Sequence, residues 1–141
     1  MKLFFDTSVL VASFLSDHVH HQPSLKVFAP ATPKDAACSL HTLAEVFAVL
    51  SSLPVKPAIS PEQAALFVDE VRLRLTAVSL TVAEYYDTVK AASERGLAGG
   101  RIYDALLLQC ARRSNAEVIY TWNLKHFRAI APDLAKRIRT P

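Results

Sequence analysis

The chain has 141 residues, 51% of them apolar and 21% charged, a net charge of +3, and only three glycines, at Gly96, Gly99 and Gly100. With no glycine before position 96, neither the G-x-G-x-x-G turn of a dinucleotide fold nor a G-x-x-x-x-G-K phosphate loop can follow a first strand. The length suits one domain, residues 1–141, with a substantial core. No apolar run of membrane-spanning length exists. Cys38 and Cys110 form no C-x-x-C pair, which argues against a disulfide scaffold and structural zinc and for a reducing cytoplasm.

In chain order, Lys2 to Phe5 reads as a short strand. It is not the start of a leader, because Asp6 interrupts the apolar run and no small-residue cleavage site follows. Ser8 to Leu15 reads as a helix, and a second helix begins near His21 and ends before Pro30 and Pro33. Ala36 to Ser39 is the second strand. Thr42 to Leu53 is helical and apolar on nearly every face, so burial is expected. Ser60-Pro61-Glu62-Gln63 carries an N-cap serine, proline at the first helical position and an acid and amide in the first turn, and opens a helix to about Leu75. Ala77 to Leu80 is a third strand, Val82 to Arg95 a helix stopped by Gly96, and Arg101 to Arg113 another helix entered through Gly99-Gly100. Val118 to Thr121 is a fourth strand, a short helix follows around Lys125 to Phe127, and Arg137 to Arg139 suits an edge strand. Strands alternating with helices predict an α/β domain with a mainly parallel sheet covered on both faces. Sites in such sheets form outside the carboxyl ends of the strands, where Asp6 and Asn123 fall.

Three of the thirteen acids lack a surface explanation. Asp6 is the only charged residue between Lys2 and Asp17, Glu45 the only one between Asp35 and Lys56, and Asp104 the only one between Arg101 and Arg112. Asp104 precedes Leu107, Leu108 and Ala111 on one helical face, and Glu45 precedes Ala48 and Val49, so each acid is expected to point toward the core. A helix cap explains Asp6 alone, and the helix dipole favours Asp104 alone. Three unpaired carboxylates together carry a cost of several kcal/mol each that no embedded lysine or arginine offsets. A hard divalent ion, Mg²⁺ or Mn²⁺, would offset it. His18, His20 and His21 sit at a loop-to-helix junction with only Asp17 nearby, which is a weak zinc pattern.

An acidic cluster with such an ion supports metal-assisted phosphodiester hydrolysis. Residues 1–100 carry a net −2 and residues 101–141 a net +5. The basic third either is simply solvated or holds a polyanion, with Arg112, Arg113, Lys125, Arg128, Lys136, Arg137 and Arg139 as candidates for nucleic-acid backbone contacts. A signalling receiver domain also combines acids with Mg²⁺. Here, however, Asp6 has no adjacent acid, and Ala37-Cys38-Ser39-Leu40 offers no acceptor aspartate.

F-D-T-S at the N-terminus, the isolated glutamate of L-H-T-L-A-E-V-F, the segment G-G-R-I-Y-D-A-L-L-L and the late T-W-N-L-K-H-F together resemble the PIN-domain ribonucleases, most of all the VapC toxins of bacterial toxin–antitoxin pairs. The resemblance spans essentially the whole chain. It implies a three-layer α/β/α sandwich, Mg²⁺- or Mn²⁺-dependent endoribonuclease activity, a homodimer, and inhibition by a cognate antitoxin whose tail reaches into the active site. Asp6, Glu45 and Asp104 match the family's metal-binding acids. Asn123 takes the fourth position, where many members have Asp, and so removes one negative charge. Ser8 would orient Asp104 or a water, or serve only as a first-turn residue, and Thr121 would act similarly. Trp122 either stacks on a base or packs. A housekeeping RNA-processing nuclease of the same fold and a non-catalytic RNA-binding module are the alternatives.

Overall fold

Phe4 and Phe5 are neighbours in the chain but lie in different cores, each fully buried. The computed structural model, which describes residues 1–141, explains this by the two-residue period of a strand covered on both faces. The elements are β1 (Leu3–Phe5), α1 (Thr7–Phe14), α2 (His21–Phe28), β2 (Ala36–Ser39), α3 (Leu40–Ser52), α4 (Pro61–Arg74), β3 (Thr76–Val78), α5 (Val82–Glu94), α6 (Arg101–Ser114), β4 (Val118–Tyr120), α7 (Leu124–Ile130) and β5 (Ile138–Arg139). A 3₁₀ turn at Pro132–Leu134, not expected from the sequence, precedes β5.

The five strands form one sheet in the order β3-β2-β1-β4-β5, and every pairing is parallel. Phe4, Ala37 and Ile119 point to the face covered by α6 and α7. Phe5, Ala36 and Cys38 point to the face where α1 to α4 contribute Val9, Leu10, Phe28, Val46, Leu50, Ala64 and Val71. The result is the expected α/β/α sandwich. Both cysteines are buried and free, and burial pushes the thiols up, Cys38 to about 12 and Cys110 to about 11.

The helix starts follow local chemistry. Ser60 with Gln63 and Thr81 with Glu84 each form a complete capping box. Helix α5 ends at Gly96, whose φ of +69° suits glycine, with Leu97 N–H donating to the Ala92 carbonyl. Gly99 also has positive φ, +62°, whereas Gly100 is ordinary helical backbone at −63°.

Helix α3 corrects the expectation of burial on nearly every face. Thr42, Val46 and Leu50 form its one buried stripe, spaced by four. Leu40, Phe47 and Val49 are exposed, because a helix lying on a sheet has a second side with nothing to cover it.

Candidate active site

Asp6 follows β1 at the point where the sheet's order reverses, with β2 on one side of β1 and β4 on the other. In parallel sheets the ligand crevice opens at that point. The Asp6 amide donates to the Tyr120 carbonyl at 2.9 Å, which ties the residue to the end of β4. Asp6 occupies the N-cap position of α1, but its side chain does not cap the helix. Instead Oδ2 accepts from Ser8 Oγ at 2.7 Å and from Thr121 Oγ1 at 2.8 Å. Both hydroxyls therefore converge on one oxygen and leave Oδ1 without a hydroxyl partner. The same two hydroxyls accept backbone amides, Ser8 from Trp122 at 3.1 Å and Thr121 from Asn123 at 3.0 Å. Ser8 thus serves Asp6 rather than Asp104.

Glu45 lies on α3 and Asp104 in the first turn of α6, both half-buried. The structure places Glu45 at the edge of its helix's buried stripe, not within it: Ala48 and Val49, on its own side, are exposed. Asp104 does lie beside the buried Leu107, Leu108 and Ala111. The three carboxyls feel one another. Burial pushes Asp6, only 5% exposed, above the usual carboxylate range against the pull of its two hydroxyls. Burial also raises Glu45, opposed by His41 and reinforced by the charges of Asp6 and Asp104. Asp104 is raised by burial and then by Asp6, opposed by His126 and Arg101.

No lysine or arginine forms an ion pair with any of the three; the imidazole of His41 lies beside Glu45, with Nε2 3.5 Å from Oε1. Thr7 Oγ1 is buried beside the Glu45 carboxylate, toward which its hydroxyl is directed. No three His, Cys, Asp or Glu side chains stand close enough to grip an ion unaided. Carboxylates raised by burial and by one another's company, with no lysine or arginine paired to them, are a donor set that fits a hydrated divalent cation such as Mg²⁺. Such an ion keeps several waters and needs only one or two carboxylates before substrate phosphates complete its shell. Asn123 is exposed at the same strand end and adds a neutral amide.

The basic residues divide sharply. Arg112 grips Asp133 with both nitrogens, at 2.8 and 3.2 Å, and Arg113 pairs with Glu84. Both lie in the last turn of α6, whereas Asp104 is in the first, so they stand about 12 Å along the axis from it. Arg128 donates to the Ile138 carbonyl and Arg137 to that of Ala116, pinning β5 and the start of β4. Lys125 is exposed and forms no ion pair. Arg101 and His126, not among the expected contacts, act on Asp104. The sequence signal for His41 was available: it stands four residues before Glu45 on the same helix.

Trp122 packs. His20 lies flat on its ring, with centroids 3.6 Å apart and planes at 7°, and its Nε1 donates to the buried Ser24 Oγ at 2.8 Å. One ring face and the ring nitrogen are both taken. The grip holds α2 against the segment carrying Thr121 and Asn123. On the other side of the acids, His41 and Tyr103 stack in parallel, with centroids 5.4 Å apart.

Comparison with known proteins adds three findings. The PIN domain family matches residues 3–131. A ribonuclease of Mycobacterium tuberculosis, VapC27, is 31% identical over 116 residues, covering 82% of this chain and 81% of the relative; VapC40 of the same species is 26% identical over 114 residues, covering 81% of each. Among solved structures, the Mycobacterium tuberculosis VapC20 toxin, described as cleaving the sarcin-ricin loop, superposes with a TM-score of 0.72 at 17% identity over 91% of this chain and 95% of its own. The VapBC2 complex of Rickettsia felis, bound to a promoter DNA fragment, superposes at 0.65 with 24% identity, covering 99% of this chain and 98% of the other. At these identities the likeness is one of fold.

Proposed function

The chain belongs to the PIN-domain family, and from that membership we propose that it is a Mg²⁺- or Mn²⁺-dependent endoribonuclease, the toxin of a toxin–antitoxin pair. The observation that carries the reading is the trio Asp6, Glu45 and Asp104: three carboxylates raised by burial, Glu45 and Asp104 also by the charge of Asp6, with no lysine or arginine paired to them, at the crevice of a parallel sheet. Groups whose titration is shifted by burial and by charged neighbours cluster at functional sites.

Asp6, Glu45 and Asp104 would hold the ion, with the Asn123 amide beside them. A bound divalent cation supplies Lewis-acid neutralisation of phosphoryl charge and acidifies water. Ser8 and Thr121 fix the Asp6 carboxylate in one orientation. Glu45, whose side chain is one-third exposed, is placed to accept a proton from an attacking water. His41 sits beside Glu45 to receive or return that proton. Lys125 and Arg101 supply positive charge for the RNA backbone on either side of the cut. Asn123 leaves the site one charge poorer than an aspartate would, which favours a single ion.

The partners on this reading are the RNA substrate, a cognate antitoxin protein and a second copy of the chain, all in the cytoplasm. The antitoxin is supported by the VapBC complexes among the structural relatives. No helix is long and apolar enough to cross a membrane. The test is purified protein with Mn²⁺ on structured RNA, wild type against Asp104→Asn, with growth followed after induction of each. Cleavage and growth arrest by the wild type alone are expected. Equal cleavage by both, or none by either, would overturn the reading.

A further inference from the structure

We propose that His41 and Tyr103 form a stacking step that takes one unpaired nucleobase of the RNA, beside the phosphate that is cut. The proposal rests on the ribonuclease reading above and names a binding subsite within it.

Tyr103 immediately precedes Asp104 in the first turn of α6 and is 51% exposed. Its neighbour Ile102 packs against the core, but Tyr103 does not. Its ring lies parallel to that of His41, with planes at 7° and centroids 5.4 Å apart. Rings that lie directly over each other sit much closer, as His20 and Trp122 do at 3.6 Å. His41 and Tyr103 are therefore offset, like two treads, and each keeps π surface uncovered.

The step is fixed relative to the acids. His41 Nε2 is 3.5 Å from Glu45 Oε1, and its side chain is 53% exposed. One ring is thus coupled to Glu45, and the other is covalently adjacent to Asp104. A base lying on either tread would set its phosphate close to both carboxylates. Only an unstacked base has a free face to offer, so the ligand is single-stranded or looped RNA. The charge of Arg101, three residues before Asp104, favours a polyanion over the apolar side chains of a protein partner. Trp122, the other aromatic near the site, cannot act this way on its His20-covered face.

The experiment uses the full-length protein with Mn²⁺ and a short oligoribonucleotide spanning a position that the wild type cuts. The same oligonucleotide is also made abasic at each of the two nucleotides flanking the cut. Tyr103→Ala is expected to raise KM about five- to a hundredfold, the range of a lost base stack, with kcat within about twofold. Tyr103→Phe, which keeps the ring, is expected to stay near wild type. Removing one particular flanking base should cost the wild type the same factor and cost Tyr103→Ala nothing further. An unchanged KM in Tyr103→Ala, or an abasic penalty paid in full by that variant, would overturn the step. So would altered sedimentation with unchanged KM, which would assign the ring to a protein contact. Asp104→Asn runs alongside: if the wild type cuts no better than it, the ribonuclease reading fails; if only Asp104→Asn is dead and Tyr103→Ala is normal, the step alone fails.

Discussion

Thr121 donates its hydroxyl to Asp6 Oδ2 at 2.8 Å, across 115 residues of chain. The contact exists because β4 pairs with β1 in parallel, Phe5 against Tyr120, so that both strands end side by side. Thr121 Oγ1 also accepts the Asn123 amide, and Thr121 and Asp6 are both buried. Thr121→Val keeps the shape but removes the donor to Asp6 and the acceptor for Asn123. Leaving such buried partners unsatisfied costs about 1–3 kcal/mol. Chemical denaturation should show a loss of that size, and cleavage should fall at least as steeply as Asp6 loses its orientation. Thr121→Ser, which retains the hydroxyl, should recover most of both.

The acids predict a pH dependence of known sign. Asp6, Glu45 and Asp104 are raised above ordinary values of 3.8, 4.5 and 3.8. Between the unfolded and the folded value, such a group binds more protons in the folded state. Stability is then full below the unfolded value and falls as pH rises through the folded one. Metal-free protein should therefore lose stability from about pH 4 upward more steeply than Asp104→Asn does. Asp35, Glu84 and Asp133 shift the opposite way, and are common to both proteins, so they cancel in the difference. Denaturation midpoints of the two proteins across pH 4–8 check this.

Mn²⁺ should raise the melting temperature of the wild type at neutral pH by mass action, and less so near pH 4–5, where protons compete for the same oxygens. Asp6→Asn and Asp104→Asn should abolish the Mn²⁺ shift. A shift that persists in both variants would place the ion elsewhere.

Asn123→Asp adds a negative charge to the crevice. Half of the full Mn²⁺-induced thermal shift should then be reached at a lower metal concentration, with the metal-free protein less stable than the wild type at neutral pH because a fourth carboxylate repels three others. Thermal melts over a Mn²⁺ series measure both effects.

The cations separate by their partners. Lys125→Ala should weaken RNA binding and lower the slope of log affinity against log salt by about 0.7–1, one phosphate contact. Arg112→Ala should leave that slope unchanged. It removes an ion pair with Asp133 whose two side chains are 34% and 60% exposed, and pairs so exposed contribute about 0–1 kcal/mol to stability. Filter binding at several salt concentrations distinguishes the two.

Much of this molecule is written locally. The order of strands and helices follows from apolar period, proline and capping residues, which act over three or four positions. The solitary acids stand out because nothing charged surrounds them in the chain. What the chain alone does not carry is what meets what. Asp6 looked able to cap α1, yet its carboxylate turns to two hydroxyls brought in by strand pairing. Helix α3 looked buried all round, yet the sheet covers only one of its sides. Arg112 and Arg113 looked free, yet α6 sets them against Asp133 and Glu84. Each of these depends on contacts between residues far apart in sequence, and the periodicity of a single segment is blind to them. The sequence by itself singled out the order of strands and helices and the three acids with no charged neighbours. The tertiary structure decided which hydroxyls orient them, which cations remain available and which aromatic rings are bare, because hydrogen bonds and ion pairs act over about 3 Å of space whatever their distance along the chain.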